Sequence, residues 1–504
     1  MSTKSFYITT PIYYVNDTPH IGHAYTTILA DVLSRYHKGE SDVLFLTGLD
    51  EHGQKVQQAA EKRSLSAQEH CDDLAPRFLE LWEKLEIQYN DFIRTTQLRH
   101  IAVVQKVLSD VHAAGDIYAD EYEGWYSVAE ERFITETEKE SGQFRDIKKL
   151  KERNWFFRMG KYQQRLIDYI NAHEEFILPL HRRNEVLGFL RQPLGDLCIS
   201  RPKSRMSWGI ELPFDKDYVT YVWFDALLNY ITGAGYASDE EQFQKWWPAS
   251  LHLIGKDILT THAVYWPTML FSLGLPFPKT IFAHGWWLTG DTKMSKSLGN
   301  IVDPLGLIDE YGIDSVRYYL MREMVLGQDA NFTMASFIKR YNSDLANDFG
   351  NLLNRVSGLI GKYFNGCVPK PGKLDPAEVE VGELANALEL KVKDMVGHLR
   401  LNDAIEEVLK LVRHMNKYLE HQAPWKVART NLERAATILY TATEALRISA
   451  VHLIPVMPQK CNAVLEVLGN TSIESKWGGL IPGTQLKEHE ALFPRLEVPK
   501  GQTT

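Results

Sequence analysis

The sequence has few cysteines and no long apolar run. Its 504 residues include four cysteines, Cys71, Cys198, Cys367 and Cys461, without a CxxC pair, so it offers neither a disulfide framework nor a zinc knuckle. No uninterrupted apolar stretch approaches the roughly 18 residues of a membrane span, which excludes an integral membrane protein. Residues 1–6 lead directly into a strand-like segment without signal-peptide or transit features, so we expect a cytoplasmic protein.

The composition excludes a disordered or collagen-like chain. Hydrophobic residues make up 44% and charged residues 24%, as in ordinary globular proteins. At roughly 150 residues per domain, the length predicts about three domains. The formal net charge of −9 argues against a general DNA-coating protein, but a local basic surface remains compatible with nucleic-acid binding.

The first part of the chain predicts an α/β fold built on a parallel sheet. A β-rich segment at residues 5–10 precedes a helical pattern at residues 22–38, which Gly39 is expected to end. A short apolar run is typical of a strand that is buried on both faces of a sheet. The further expected strands are at residues 43–47, 220–223, 251–254 and near 280–283. Alternation of such strands with amphipathic helices indicates a sheet covered on both sides.

Two later segments lack this alternation. One is rich in charged and aromatic residues and predicts a domain inserted into the sheet domain. The other carries four amphipathic helical stripes and predicts an all-α bundle, followed by a Gly/Pro-rich tail that we expect to be extended. The expected divisions are residues 1–113 (sheet domain), 114–215 (insert), 216–285 (sheet domain), 286–345 (connector), 346–468 (bundle) and 469–504 (tail).

The sharpest local motif is Pro19-His20-Ile21-Gly22-His23, between the first predicted strand and its helix. In parallel α/β sheets, ligands bind beyond the carboxyl ends of the strands, where helix N-termini favour anions. Gly22 would let a ligand approach the backbone closely, and His20 and His23 offer donors to phosphate oxygens. By itself, the motif also fits two ordinary histidines at a helix N-terminus.

A second motif, Lys293-Met-Ser-Lys-Ser297, lies in a polar loop at residues 290–300. Two lysines in a hydroxyl-rich loop suit a polyphosphate that becomes more negative as a bond breaks. By itself, such a run is more often a solvated loop. Its combination with the histidine motif on one fold favours a nucleotide site.

Together, the two motifs resemble the HIGH and KMSKS signatures of class I aminoacyl-tRNA synthetases. Over nearly the whole chain, the pattern is similar to the bacterial methionyl-tRNA synthetase family. The supporting segments are Thr10-Pro-Ile-Tyr-Tyr-Val-Asn16, Thr47-Gly-Leu-Asp-Glu-His-Gly53, Tyr221-Val-Trp-Phe-Asp-Ala226, Ile254-Gly-Lys-Asp-Ile258 and Ala423-Pro-Trp425. The resemblance implies a Rossmann-like parallel sheet split by a connective insert and followed by an anticodon-binding helix bundle.

The resemblance implies a methionine–tRNA ligase. In that reaction, the methionine carboxylate attacks the α-phosphate of ATP, and the resulting methionyl-adenylate acylates the terminal adenosine of tRNA(Met), including the initiator tRNA. Positioning and charge stabilisation are the main demands on the protein. The implied nucleotide contacts are His20, Gly22 and His23 at the phosphates, Gly255 and Asp257 at the ribose and base, and Lys293 and Lys296 at the departing pyrophosphate. Mg²⁺ is expected to accompany ATP.

The amino-acid site is expected to combine one carboxylate with an apolar slot. Asp50 ends a predicted strand, where it would receive the substrate ammonium group, although a helix N-cap is an open alternative. The other matches to the family's methionine pocket are Ile12, Tyr14, Trp223, Ala226, Tyr230, Ile258 and His262, each of which by itself would be interpreted as core packing. Leu227 stands where some members have proline.

In the helical bundle, Asn351 and Arg355 lie one turn apart on a predicted helix, and Trp425 lies between helices. An aromatic face with amide and guanidinium donors suits splayed RNA bases. These positions match the family's readers of the CAU anticodon. Without the resemblance, Trp425 fits equally well as a packing residue after Pro424.

The insert departs from many family members. Where those carry Tyr-Cys-x-x-Cys-Glu, this chain has Tyr126-Ser-Val-Ala-Glu-Glu131, with Ser127 and Glu130 in ligand positions. A serine hydroxyl is a poor zinc ligand, and one glutamate cannot replace a four-cysteine site, so we expect no structural zinc. Some longer members dimerise through a further C-terminal domain. Because this chain ends soon after the bundle, we expect a monomer with neither membrane nor DNA as a partner.

Two other functions are considered. A class I synthetase for Leu, Ile or Val usually carries a much larger editing insert than residues 114–215 provide, and a cysteine enzyme would be expected to bind zinc through thiolates. The second is a tRNA-binding protein that has lost catalysis. His20, His23, Lys293 and Lys296 argue against that function.

Overall fold

The computed structural model describes residues 4–16, 18–127, 132–134, 136–140, 142, 146–290, 292–293, 302–470 and 472–497. The chain divides into two compact units, Met1–Gly285 and Trp286–Thr504. Within the described residues, none of the helices is both long enough and apolar enough to cross a membrane.

The first unit is built on a parallel sheet, of which seven strands lie in the described part of the chain. The strand order is Tyr13–Tyr14, Ser41–Asp50, Lys4–Thr9, Leu251–Gly255, Ile281–His284 and Ile177–Leu178, with Asp91–Arg94 pairing with Ser41–Asp50. Every pairing in this sheet is parallel. The predicted α/β class is confirmed, and the carboxyl ends of the strands meet at one edge.

Helices cover this sheet. The first, Ile21–His37, buries Ala24, Ile28, Leu29, Val32 and Leu33, and it is followed by Gly39 at φ +102°. A positive φ favours glycine, which explains the end of the helix there. The other helices are Gln54–Lys62, Ala67–Lys84, Leu98–Ala113, Glu136–Glu140, Gln163–Ala172, Leu180–Phe189, Val222–Ala226, Asn229–Gly233, Glu240–Trp246 and Trp266–Leu273. Short 3-10 or π turns occur at Met159–Tyr162, Lys256–Ile258 and Thr261–Tyr265.

The predicted strand at residues 220–223 is wrong. The strand Asp215–Thr220 ends there and belongs to an antiparallel sheet with Ser200–Pro202 and Glu211–Leu212, and residues 222–226 are helical. A short aromatic and apolar run has no periodicity that separates a buried strand from a buried helix, so tertiary contacts decide its structure.

The segment at residues 114–215 is mainly antiparallel. Its larger sheet has the order Arg132–Ile134, Ile117–Ser127, Ile147–Phe157 and Leu197–Cys198. The same segment also supplies Ile177–Leu178, which pairs with Ile281–Phe282 at the edge of the parallel sheet.

The second unit is mainly helical. Its helices are Pro304–Tyr311, Ile313–Glu323, Met334–Arg340, the π-helical Tyr341–Gly350, Asn351–Phe364, Pro376–Gly397, Leu401–Gln422, Pro424–Val427, Leu432–Leu453 and Pro458–Val467. A small sheet joins Thr292–Lys293, Trp287–Thr289 and Ala330–Asn331. The tail after residue 470 packs on the bundle, because the Glu444 carboxylate accepts hydrogen bonds from the backbone N–H groups of Gly478, Gly479 and Leu480.

Candidate functional site

The histidine motif forms the N-terminus of the helix Ile21–His37. The backbone N–H of Gly22 donates to Nδ1 of His20 at 3.0 Å, and the backbone N–H of His20 donates to Nδ1 of His23 at 3.2 Å. The two side chains thus form a reciprocal capping box. Because each Nδ1 accepts from the backbone, the proton of each neutral ring is on Nε2.

Packing fixes the orientation of both rings. The His20 and His23 rings stack with centroids 3.9 Å apart, and the Tyr13 ring meets His23 edge-on at 4.8 Å. Burial, reinforced by the nearby His20, lowers the pKa of His23 well below its ordinary value. His23 is therefore neutral at pH 7, and it acts as a hydrogen-bond donor rather than as a cation. A Cβ atom at Gly22 would lie 2.8 Å from His20 Cε1, so a side chain there would displace this ring.

A small cavity lies beside the strand ends. It is lined by Pro11, Ile12, Asp50, Trp223, Ala226, Leu227, Asn229, Tyr230 and His262. Of the residues predicted for the amino acid, Tyr14 and Ile258 are not among those lining residues, whereas the other six are. Pro11 and Asn229 were not predicted to line the cavity, and Leu227 was noted only as standing where some family members have proline. Asn229 begins the helix Asn229–Gly233 directly before the predicted Tyr230, and this adjacency is the signal that would have found it.

Tyr230 and His262 form a hydrogen-bonded chain in the cavity wall. His262 Nδ1 donates to the carbonyl oxygen of Ile258 at 2.9 Å, because that oxygen can only accept. His262 Nε2 therefore accepts from the Tyr230 hydroxyl at 2.7 Å. Burial lowers the pKa of His262 to about 4, so the ring is neutral at pH 7. Ile258 thus contributes to the wall through its backbone.

Asp50 is the last residue of the strand Ser41–Asp50 and is 5% exposed. Its carbonyl oxygen accepts from the backbone N–H of Val15 at 3.1 Å, and it pairs with Tyr14 on the neighbouring strand. The alternative that Asp50 is a helix N-cap is wrong, because Gly53 occupies that position for the helix Gln54–Lys62. A carboxylate therefore lies on the wall of an otherwise neutral cavity.

Gly255 and Asp257 lie at the end of the strand Leu251–Gly255. A Cβ atom at Gly255 would lie 2.6 Å from Asp257 Oδ1, so only glycine fits there without displacing the carboxylate. On the adjacent strand, His284 Nδ1 donates to Gly285 O, and its Nε2 accepts from the Thr26 hydroxyl, each at 2.8 Å. Thr26 lies on the helix that His20 caps, so the two predicted nucleotide-binding segments are connected.

The two lysines of the second motif belong to the second unit. Lys293 ends the short strand Thr292–Lys293, which pairs antiparallel with Trp287–Thr289 through Leu288. Lys296 lies outside the described residues.

A second candidate site lies on the helices Asn351–Phe364 and Leu401–Gln422. The side-chain oxygen of Asn416 accepts from Asn351 Nδ2 at 3.1 Å and from Arg355 Nη1 at 3.2 Å. Asn416 Nδ2 donates in turn to the carbonyl oxygen of Asp348 at 3.0 Å. Asn416 therefore aligns the two predicted residues, although no sequence motif singles it out.

Trp425 lies on the short helix Pro424–Val427, directly after Ala423 in the left-handed conformation. Its carbonyl oxygen accepts from the Tyr363 hydroxyl at 3.2 Å. Tyr363 is about two turns after Arg355 on one helix, so Trp425 is attached to the helix that carries Asn351 and Arg355.

In the insert, Ser127 ends the strand Ile117–Ser127, and Glu130 lies outside the described residues. No group of three or more His, Cys, Asp or Glu side chains in the described part of the chain is arranged to hold a metal ion. The guanidinium carbons of Arg201 and Arg205 lie 5.5 and 4.7 Å from the centre of the buried Tyr126 ring. This cation–π packing stabilises the position that precedes Ser127.

Two family models cover the chain. "tRNA synthetases class I (M)" matches residues 6–142 and 143–357, and "Anticodon binding domain of methionyl tRNA ligase" matches residues 368–497. The chain belongs to the methionyl-tRNA synthetase family. The predicted family and fold class are confirmed.

The methionine–tRNA ligase of Caldanaerobacter subterraneus subsp. tengcongensis is 44% identical over 510 residues, covering 99% of this chain and 80% of that protein. The Clostridium tetani enzyme is 45% identical over 511 residues, covering 99% and 79%. Among solved structures, Mycobacterium tuberculosis methionyl-tRNA synthetase in complex with methionyl-adenylate has a TM-score of 0.93 and 39% identity, covering 98% of this chain and 100% of that one. Its apo form has a TM-score of 0.86.

The activity that follows is methionine–tRNA ligation, EC 6.1.1.10, as predicted. A synthetase for another amino acid and a non-catalytic tRNA-binding protein are thereby set aside. The anticodon model begins at residue 368, so Asn351 and Arg355 fall in the span of the synthetase model rather than in that of the anticodon domain.

Proposed function

We propose that His20 and His23 bind the phosphates of ATP through their Nε2–H groups at the N-terminus of the helix Ile21–His37. The observation that carries this proposal is the capping box, which occupies both Nδ1 atoms with backbone N–H groups. Neutral rings that donate through Nε2 bind phosphate oxygens without a competing charge change, and the helix N-terminus adds a favourable dipole. Gly22 keeps the approach to the backbone open.

The cavity beside Asp50 is proposed as the methionine site. Asp50 is suited to the substrate ammonium group, and Ile12, Trp223 and Ala226 provide apolar contacts for the side chain. Tyr230 and His262 are neutral, so the thioether of methionine would contact uncharged groups. Tyr14 pairs with Asp50 on the neighbouring strand, and the carbonyl oxygen of Ile258 accepts from His262.

For the remainder of ATP, Gly255 and Asp257 are proposed to contact the ribose and base. Mg²⁺ enters as part of the ATP substrate complex, bound through phosphate oxygens. Lys293 and Lys296 are proposed to stabilise the charge that develops on the departing pyrophosphate, with Lys296 contributing most.

For tRNA(Met), including the initiator, Asn351, Arg355 and Trp425 are proposed to contact the CAU anticodon. The alignment of Asn351 and Arg355 by Asn416 supports this role, because both donor groups are preorganised for base edges. The bundle at residues 346–468 would then be the anticodon-binding domain, and residues 286–345 the connector with the lysine loop. The enzyme is proposed to act in the cytoplasm as a monomer without structural zinc.

ATP–pyrophosphate exchange tests the nucleotide proposal. Lys296→Ala should reduce the exchange rate at least about tenfold while leaving the KM for methionine nearly unchanged, because the lysine acts on charge that develops in the transition state. Lys245→Ala, an exposed lysine in the first unit, is the matched control. An unchanged exchange rate for Lys296→Ala would remove the pyrophosphate role.

A further inference from the structure

Asp225 lies between the two cavity-lining residues Trp223 and Ala226 on the helix Val222–Ala226 but is itself fully buried away from solvent. One carboxylate oxygen accepts from His52 Nδ1 and the other from His100 Nε2, each at 2.7 Å. The two histidines belong to different segments of the first unit. Asp225, His52 and His100 are called the carboxylate clamp below.

Thr232 completes the contacts of the His100 ring. The Thr232 hydroxyl oxygen lies 2.9 Å from the carbonyl oxygen of Leu228 and 3.2 Å from His100 Nδ1. His100 Nε2 is directed at Asp225, so the ring is held between Thr232 and the carboxylate.

The charge state of Asp225 agrees with this arrangement. Burial by itself would raise the pKa of its carboxyl group, but the charges and hydrogen bonds of His52 and His100 outweigh burial, and the pKa lies below its ordinary value. The carboxylate is thus ionised, and each of its oxygens accepts a hydrogen bond from a histidine. Removing one histidine would leave a buried charge poorly compensated, which is costly in a low-dielectric interior.

The carboxylate clamp connects the Asp50 side of the proposed methionine site with the side formed by Trp223 and Ala226. His52 is two residues after Asp50, in the loop that follows the strand Ser41–Asp50. That loop is also held by Trp208, whose indole N–H donates to the carbonyl oxygen of Glu51 at 2.5 Å. Asp225 ties this loop to the helix that carries Trp223 and Ala226, and His100 ties both to the helix Leu98–Ala113.

We propose that Asp225 is a positioning residue for methionine recognition, which through His52 and His100 fixes Asp50 relative to Trp223 and Ala226. The distance between the Asp50 carboxylate and the wall formed by Trp223 and Ala226 is then fixed. A fixed distance favours amino acids of one length. None of the three clamp residues lines the cavity. This inference rests on the methionine site proposed above.

Matched substitutions separate the hydrogen bond from the ring. His52→Asn keeps an N–H donor near the position of Nδ1, and His100→Gln keeps one near Nε2, whereas His52→Leu and His100→Leu remove the donors. Thr232→Val is a milder change that removes the hydroxyl in contact with His100 Nδ1. The exposed His181 supplies the control variant His181→Leu. All are assayed as full-length enzyme by ATP–pyrophosphate exchange, with separate KM values for methionine and ATP.

The leucine variants should raise the KM for methionine about tenfold and leave the KM for ATP within about twofold, because displacements near 1 Å are enough to disturb a positioned substrate. His52→Asn and His100→Gln should recover most of the affinity, and Thr232→Val should give a smaller rise of about threefold. The ratio of kcat/KM for ethionine, which is one methylene longer than methionine, to kcat/KM for methionine should rise in the leucine variants, because the fixed separation is lost.

Three results would overturn the inference. The first is an unchanged methionine KM in the leucine variants. The second is an equal rise in the KM values for methionine and ATP. The third is a methionine KM in His52→Asn and His100→Gln that is as high as in the leucine variants. If the leucine variants do not fold, an unchanged methionine KM for Thr232→Val overturns it instead. Asp50→Asn separates the two proposals. No effect of Asp50→Asn means that the methionine site itself is wrong, whereas a rise with Asp50→Asn but none with His52→Leu rejects the clamp only.

Discussion

The backbone N–H of His20 donates to Nδ1 of His23 at 3.2 Å while the two imidazole rings stack at 3.9 Å. This relationship links secondary structure to chemistry, because the bonds that cap the helix also fix the ring tautomers. The spacing of three residues across the helix start allows a reciprocal cap. Nε2, the nitrogen that we propose meets a phosphate, is therefore set as the donor of each ring before a ligand binds.

Gly22→Ala should disturb this arrangement. The new Cβ atom would lie 2.8 Å from His20 Cε1 and would push the ring away from its cap. We expect the kcat/KM for ATP in pyrophosphate exchange to fall about tenfold or more, with methionine affinity nearly unchanged, because positioned donors contribute most in the transition state. Gly188→Ala is the control, since a Cβ atom there meets nothing within 4 Å. Equal activity of the two variants would contradict the role of Gly22.

The neutral His262 predicts a specific loss of stability in acid. Its pKa is about 4 in the folded protein and about 6.5 in the unfolded chain, so both states are neutral above pH 6.5. As the pH falls towards 4, the unfolded state binds a proton that the folded state does not, which destabilises the fold by about 3 kcal/mol. Urea unfolding at pH 7 and pH 4 should show a smaller acid loss for His262→Asn than for the wild type. Identical losses would refute the assignment.

Substitution of Asn416 should impair tRNA charging but not methionine activation. Asn416→Ala removes the oxygen that accepts from both Asn351 and Arg355, whereas Asn416→Asp retains an acceptor. We expect the alanine variant to lower kcat/KM for tRNA charging about tenfold, because the two groups proposed to read the anticodon bases lose their alignment. Methionine-dependent pyrophosphate exchange should stay at the wild-type level, which also shows that the variant is folded.

The aspartate variant of Asn416 should keep more charging activity than the alanine variant, and Asn462→Ala on the helix Pro458–Val467 should behave like the wild type. In Asn416→Ala, the ratio of kcat/KM for tRNA(Met) to kcat/KM for the same tRNA with a changed anticodon should decrease. If Trp425→Ala and Arg355→Ala lose discrimination but Asn416→Ala does not, Asn416 has no positioning role.

The insert predicts an enzyme that needs no zinc. Ser127 and Glu130 occupy the ligand positions of the family motif, and Tyr126 is packed against Arg201 and Arg205. Elemental analysis of purified protein should find no stoichiometric zinc, and prolonged chelation should leave the thermal midpoint and exchange rate unchanged. One zinc per chain, or loss of activity with a chelator, would contradict this prediction.

Short-range features of the site were predictable. The HIGH-like motif could be placed at a helix start because its capping groups lie within four residues of one another. The strand at residues 220–223 could not be distinguished from a helix by its apolar residues, and the structure shows a helix from Val222. Family resemblance named six residues of the cavity, but it gave no reason why Tyr14 and Ile258 lie outside the lining.

Long-range partners could not be predicted. His284 contacts Thr26 across 258 positions, and Asn416 contacts Asn351 across 65. Single histidines and asparagines occur throughout the chain, and no periodicity marks those that meet a distant partner. Asp225 stood inside a recognised segment, yet its two histidine partners come from residues 52 and 100.

The sequence by itself determined which chemical groups this enzyme has, its parallel-sheet class and its family, because motifs, apolar periodicity and helix caps act over a few residues. Only the tertiary structure decided which of those groups share the cavity, which nitrogen of His262 carries the proton and which polar side chains hold the recognition residues in place. The physical reason is that burial and hydrogen-bond direction depend on the partner that folding supplies, and that partner can lie hundreds of residues away.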